Sequence, residues 1–466
     1  MVTRHQKNIA LLKFLFIPFF CITLLFTSAE GQGKNTVHFP LYPLIEANVR
    51  FWQDVYGKYH SRQGILHDKD DLTIVYGIID LVDWNTPGAA RINKNLIKLA
   101  RHRYKNILNT LGRGKKPRTQ EEKRIASLFK QKKHTGFLKA RDNIRLQIGQ
   151  KDRFLRGVIR SGAYMPDIQA IFRAYNMPPE LAYLPHVESS FNPNAHSKAG
   201  AVGLWQFTRE TGKNFMTINT VLDERYDPFL SSQAAARLLR KNYSQLGSWP
   251  LALTAYNYGR AGMVRALRTQ KTYENIFKNH KTKIFKFASR NFYSEFVAAL
   301  RVARKLEHDR SIIRDRPAAT LSIRMDGYAD AGEIRRYFKL SREDFTRFNP
   351  ALRQPVLSGK KYIPKGYLLR LPATKLIRQR AGRMGSRFYH SHQIRDQVYI
   401  VRRGDTIGSI GRRFGVSNRD LIRANRLDSR ATIRIGQKIV LPRGATGKKQ
   451  RNIIILKDKA KKKPSG

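Results

Sequence analysis

A single cysteine, Cys21, stands among 466 residues, so an intramolecular disulfide, a thiolate zinc cluster and an iron–sulfur site are all excluded. Acidic residues are scarce as well: 34 Asp plus Glu face 89 Lys plus Arg, for a net charge of +55. No HExxH, P-loop or GxGxxG pattern occurs, and the reading calls for neither a metal nor an organic cofactor. Beyond residue 26 no segment offers about 18 apolar residues in a row, so no permanent transmembrane helix is expected. What is present is apolar material throughout, 41% hydrophobic and 11% aromatic. That is enough to form several packed domains, and it excludes a disordered polycation, whose ordering entropy nothing would offset.

The first 29 residues look like an export signal. Arg4, Lys7 and Lys13 precede an apolar run from Phe14 to Phe26, followed by Thr27, Ser28 and Ala29. Thirteen helical residues reach roughly 20 Å, short of the roughly 30 Å of a bilayer core. Cys21 sits beside Pro18, Phe19 and Phe20, a poor context for lipid attachment, and is expected to leave with the signal. The chain is therefore expected in the periplasm or cell envelope.

Residues 38 to 150 read as a basic helical region in which Phe51, Trp52, Val55, Tyr56 and Tyr59 recur at helical spacing, a stripe that fits a core better than a ligand platform. From 151 to 310 the charge changes: between Glu180 and Gln233 stand six acidic and four basic residues. Residues 321 to 372 read as strand, two helices, strand. Residues 398 to 442 repeat that order more cleanly, with Ser417 and Asp420 spaced as a helix cap. A basic linker, 373 to 397, joins the two, and a lysine-rich tail runs from 443 to 466.

Chemistry concentrates in three blocks. Leu181, Leu184 and Glu188 share one helical face, so Glu188 points where apolar side chains point. A carboxyl there loses hydration and its pKa rises, as a general acid near neutral pH requires; a cap or an ion pair would fit the spacing equally well. Its neighbours are Val187 to Pro193 and Ser197, then Gly200 to Phe207, then Ala255 to Gly259. His186 and Ser189 do not make a hydrolase triad with it, because residues two apart on a helix do not face each other. Asp223, Glu224 and Asp227 lie in the same domain, where one of them could act as a second, hydrolytic carboxylate.

Together these blocks resemble the family of membrane-bound lytic murein transglycosylase D over most of residues 40 to 442. The resemblance implies a mainly α architecture: a lysozyme-like helical catalytic domain plus small α+β (βααβ) LysM modules. It implies that Glu188 acts as acid and then base, with Ser197, Gln206, Tyr256 and Asn257 lining the sugar subsites and Tyr293 matching a later family tyrosine. Trp205 reads as a core residue, and Gly200 and Gly203 as points of close backbone approach. Ala288 departs from the family, standing where a glutamate often precedes that tyrosine.

The implied reaction cleaves the β-1,4 bond between N-acetylmuramic acid and N-acetylglucosamine and closes a 1,6-anhydro ring without water. In the last module the resemblance implies glycan binding between Gly404, Asp405, Thr406 and Ile407 and the Ile435–Gly436 turn, with Asn425 part of the same signature. Residues 321 to 372 look like a divergent copy, either a binder or a spacer. The expected partners are peptidoglycan glycan strands, with stem-peptide carboxylates and an anionic envelope surface answering the positive charge; an exported chain without a nucleic-acid motif gives no case for DNA or RNA. A non-catalytic wall-binding scaffold and a hydrolytic muramidase stand as alternatives.

Overall fold

The structure is a computed structural model that describes residues 38–129, 134–394, 397–428, 430–441 and 453–455. The expected export signal, with Cys21, lies outside the described residues.

The aromatic stripe forms the helix Glu46–Gly57, which buries Val49, Phe51, Trp52, Val55 and Tyr56. The Trp52 ring packs between Tyr56 (centroids 5.9 Å apart) and Phe287 (6.3 Å), so it is core and not platform. Helices Ala89–Gly112, Gln120–Ser127 and His134–Asp142 follow, the second closed by a reciprocal Thr119–Glu122 capping box.

The region read as helical also holds a three-stranded antiparallel sheet, with Gln63–Asp68 between Val75–Asp80 and Ile144–Ile148. The central strand meets a core on each face, Ile65 joining one and Leu66 the other, and buries its last five residues without alternation. A short continuous buried run carries no period of two, which is why periodicity did not reveal it.

Residues 151 to 307 are built from helices around one core that extends from Ile45 to Ala303 and so includes the N-terminal stripe. Helix Pro228–Leu246 shows the usual punctuation: Asp227 accepts from the amides of Phe229 and Leu230, Pro228 opens the helix, and Gly247 closes it at φ +74°. The long helix Phe287–Glu307 lies against Glu46–Gly57, with Asn48 Nδ2 donating to Asn291 Oδ1 at 2.7 Å. Trp205 is fully buried beside Phe172 and donates its indole N–H to Ser232 Oγ at 2.7 Å.

Two smaller units follow. One pairs strands Thr320–Arg324 and Leu368–Pro372 around helices Ala331–Tyr337 and Arg342–Phe348; the other pairs Gln397–Ile400 with Lys438–Leu441 around Ile407–Phe414 and Asn418–Asn425. They share a device at atomic level. Asn349 Nδ2 donates to the carbonyls of Phe345 and Arg370 while its Oδ1 accepts from Arg370 N. Asn425 does the same with Leu421, Val440 and Val440 N. Eight residues earlier, Ser341 and Ser417 cap their helices with the same bonds to Asp344 and Asp420. In each unit the asparagine ties the end of the second helix to the closing strand. The last unit gains a third strand, Ile453–Ile455 from the lysine-rich tail, paired antiparallel with Gln397–Ile400.

The first unit is locked to the larger domain. Asp223 N donates to Ala351 O at 2.8 Å and Arg353 N to Val221 O at 3.0 Å, while Leu222 enters the unit's own core. Arg370 pairs with Asp227 at 3.1 Å, both well shielded from water. Trp205→Ala is expected to destabilise the protein by about 3–5 kcal/mol, through the cavity it leaves and the loss of the indole bond to Ser232 Oγ. Equilibrium urea unfolding measures it, and a loss below about 1 kcal/mol would contradict the core assignment.

Candidate active site

Glu188 ends a short and unusual segment. The sequence suggests a helix opening at Met177, but the chain forms a 3-10 turn, Pro179–Tyr183, followed by a single α-turn, Leu184–Glu188. Pro178, Pro179 and Pro185 have no amide N–H to donate, and short 3-10 segments tolerate that loss. Leu181, Ala182 and Leu184 bury the inner face. Beyond Glu188, Ser189 Oγ bonds to the carbonyls of Leu204 (2.8 Å) and Pro185 (3.3 Å), so the first motif is tied to the second.

Ser190 and Phe191 then adopt left-handed backbone, φ +49° and +53°, which costs energy for side chains of this kind. Arg160 holds both carbonyls, at 2.6 and 3.3 Å, and the Phe191 ring is fully buried against His186. A side chain at Gly157 would place its Cβ 2.8 Å from Ser190 O, so the loop lies directly on the preceding helix.

Glu188 is half-buried, and its carboxyl makes no hydrogen bond or ion pair among the described residues. Loss of hydration raises its pKa from the ordinary 4.5 to about 8. Its charge is felt at Tyr56 and Tyr256, whose phenols burial pushes well up, and at a second carboxyl, Glu295. Glu295 is itself raised to about 8, first by burial and then by Glu188, with Arg145 opposing. Both carboxyls are pushed upward, Glu188 by loss of water and Glu295 by loss of water and then by the charge of Glu188.

The residues expected to line the site are placed as follows. Tyr256 lies by Glu188, its ring parallel to Phe292 (6.4 Å, 10°) and its hydroxyl donating to Trp205 O at 2.7 Å. Asn257, exposed, accepts from Ser289 Oγ at 2.8 Å, which leaves its amide N–H pair to the open side. Gln206 stands at φ +47° and donates to Gly203 O (2.9 Å) and Ala195 O (3.3 Å). Ser197 is exposed and accepts from Ala201 N at 3.0 Å. Gly203 is a true close approach, since a Cβ would lie 2.1 Å from Arg225 O; Gly200 turns at φ +78° in open space. Tyr293 faces elsewhere: it is fully buried, with its hydroxyl on Pro40 O at 2.8 Å, and Phe292 is the aromatic beside Tyr256.

His186 is buried in an aromatic cage of Phe154, Tyr183 and Phe191, lowered to about 3 by burial and then Arg160, and forms no triad. The acidic neighbours named from sequence are otherwise engaged. Asp223 holds Arg225 at 2.8 Å, Glu224 accepts from Thr217 N, and Asp227 caps a helix and pairs with Arg370. The second carboxylate near Glu188 is Glu295, and the wall behind it comes from Tyr56 and Arg145 of the N-terminal region. Glu295 sits within a buried run from Phe292 to Ala299. An acid on an apolar helical face is the same signal that singles out Glu188. No group of three or more His, Asp, Glu or Cys among the described residues is gathered as for a metal ion.

In the last module most of the expected glycan-binding residues carry structural bonds. Asp405 accepts from Arg402 N (2.8 Å) and from the Tyr399 hydroxyl (2.7 Å), Thr406 forms a capping box with Ser409, Ile407 is buried, and Asn425 is the helix–strand tie. Gly404 and Gly436 turn at φ +83° and +81°, and Ile435 is 70% exposed.

Comparison with known proteins decides the class. The Transglycosylase SLT domain profile matches residues 167–278 and the LysM domain profile residues 399–442. The chain is a lytic transglycosylase with a LysM domain. It is 26% identical over 322 residues to membrane-bound lytic murein transglycosylase D of Escherichia coli (strain K12), covering 65% of this chain and 70% of that protein. A transglycosylase of Enterobacteria phage PRD1 is 34% identical over 113 residues, 24% of this chain and 41% of that one. Among solved structures, an inactive mutant of the lytic transglycosylase Slt from Pseudomonas aeruginosa matches 33% of this chain and 26% of its own, at 18% identity and a TM-score of 0.27. The fold of this lytic transglycosylase is mainly α, with a lysozyme-like SLT domain and small α+β units. No described helix is long and apolar enough to cross a membrane.

The raised carboxyls give two expectations. Between pH 4.5 and about 8 the folded Glu188 retains a proton that the unfolded chain has released, so this group's contribution to stability declines as pH rises through that window. Glu188→Gln abolishes the decline, and its thermal midpoint should exceed that of the parent at pH 9 and not at pH 4. Activity should hold up to about pH 8 and fall above it. Glu295→Gln should leave that alkaline limb in place, because burial alone raises Glu188; a shifted limb in the pH–rate profile would show that Glu295 also acts on Glu188.

Proposed function

We propose that this enzyme cleaves the β-1,4 bond between N-acetylmuramic acid and N-acetylglucosamine in peptidoglycan, with Glu188 as its acid and then its base. Glu188 donates its proton to the glycosidic oxygen as the C–O bond breaks, assisted by the N-acetyl group of the muramoyl residue. The resulting carboxylate then takes the proton of the C6 hydroxyl, whose oxygen bonds to C1. The glycan is cut, a 1,6-anhydromuramoyl end forms, and Glu188 is protonated again without consuming water. The observation that carries this reading is one carboxyl without a partner, desolvated and protonated near neutral pH, at the meeting point of the three motif loops.

Around it the Asn257 amide, the Gln206 carbonyl and the Ser197 hydroxyl supply acceptors and donors for N-acetyl and hydroxyl groups, while Tyr256 and Phe292 give an aromatic wall. The LysM domain binds the glycan near the exposed Ile435–Gly436 turn, and the leader exports the enzyme to the envelope, where its basic surface rests on anionic polymer.

Glu295 supports a second reading, in which it directs water at the same bond and makes the enzyme a hydrolase. Mass spectrometry of products from purified peptidoglycan separates the two. Anhydromuropeptides that fall at least ~100-fold with Glu188→Gln are expected. Reducing-end products that vanish with Glu295→Gln would establish hydrolysis, and no products from the parent enzyme would leave a binding scaffold.

A further inference from the structure

One large cavity lies apart from Glu188. It is a cleft of about 1170 Å³ between the SLT domain and the 320–372 unit, and it is unlike a sugar groove in composition. Arg342, Arg347 and Arg353 reach it from the unit, and Arg316 from the segment between the two bodies. None of these four has a carboxylate within ion-pair distance among the described residues, whereas Arg370, also in the cleft, is neutralised by Asp227. Asp167 and Glu343 are the two acids on the lining, against the four arginines, so the uncommitted charge is positive. The guanidiniums are presented on aromatic faces: Arg353 lies 4.5 Å over Tyr226, and Arg370 lies 4.5 Å over Phe229. Such stacked, planar forks suit carboxylates held through paired N–H bonds.

The cleft also lies at the right place. Pro193 and Asn194 form part of its wall and belong to the loop that leaves Glu188. Six residues of chain put Asn194 within about 20 Å of the acid, and an extended peptide of four residues spans about 13 Å. The backbone bonds through Val221 and Asp223, with Leu222 buried in the unit, hold the two walls together, so the cleft is a formed surface and not a chance gap between mobile bodies.

We propose that this cleft binds the carboxylate-bearing stem peptides of the strand being cut, an inference that rests on the peptidoglycan reading above. The glycan backbone occupies the Glu188 groove, and a neighbouring stem lies between the SLT domain and the docked unit with its carboxylates on Arg342, Arg347 and Arg353. The 320–372 unit is then a substrate wall and not a spacer.

The test uses the full-length Glu188→Gln protein, which does not turn over, titrated calorimetrically with a free stem tetrapeptide at low and at physiological salt. Binding that weakens with salt, and falls at least tenfold in Arg342→Glu/Arg347→Glu and when the peptide carboxylates are converted to amides, is expected. No binding, equal binding of the amidated peptide, or equal binding by the charge-reversed protein would overturn the proposal. Stronger loss of a peptide-free glycan than of the peptide would overturn it too, by making the cleft a sugar groove. Arg342→Gln/Arg347→Gln is the fallback should charge reversal lower the thermal midpoint. If the peptide binds as expected while the parent enzyme releases no products from peptidoglycan, the cleft stands and the catalytic reading fails.

Discussion

The dryness of one carboxyl governs the arrangement around it. Glu188 ends a single α-turn that follows a 3-10 turn; Leu181, Ala182 and Leu184 bury the inner face of the two, and no described residue compensates its charge. Among the described residues no cationic side chain of this very basic chain pairs with that acid. That exclusion is a structural constraint, since a lysine within a few ångströms would restore ionisation and remove the acid. The acidic excess between Glu180 and Gln233 agrees with that constraint, and Arg145 acts on Glu295 and not directly on Glu188.

Maintaining that environment needs elements far apart in sequence. Tyr56 closes one side from the N-terminal region, Tyr256 and Phe292 close another, and the loop after Glu188 is held in left-handed backbone by Arg160. Strain at Ser190 and Phe191 is stable only because Phe191 is buried and both carbonyls are bonded. The N-terminal region thus belongs to the site physically: it shares the SLT domain's core and supplies part of the wall.

Much of this could be read before any coordinates existed, for identifiable reasons. Glu188 is legible because an acid at i+7 from a leucine breaks an apolar face, and the two units because their strand–helix–helix–strand order shows in local patterning, with the Ser417–Asp420 cap a further signal in the last. Glu295 carried a similar signal inside the run from Phe292 to Ala299, but its meaning depends on which helix faces it. Tyr293 illustrates the same limit, since adjacent positions on a helix point about 100° apart. Phe292 therefore meets Tyr256 while Tyr293 turns to Pro40. The N-terminal sheet escaped because its central strand is buried on both faces and has no alternation to read.

The paired units show how one scaffold takes two positions in the protein. The capping serine and the asparagine tie are the same eight residues apart in both, but the way back from asparagine to strand is 15 residues in the last unit and 21 in the first. The extra length includes the turn Gln354–Leu357, and Leu352 and Val356 there join the core that accepts Leu222. An insertion that would be neutral on a free module creates a docking face when it presents apolar side chains beside a strand edge. Once docked, the unit no longer offers its full circumference to a glycan, and its arginines are fixed relative to Glu188. The LysM domain keeps an exposed turn at Ile435. Docking thus separates the two units: the 320–372 unit is fixed against the SLT domain through Leu222 and the backbone bonds of Val221 and Asp223, whereas the last keeps its Ile435 turn in solvent.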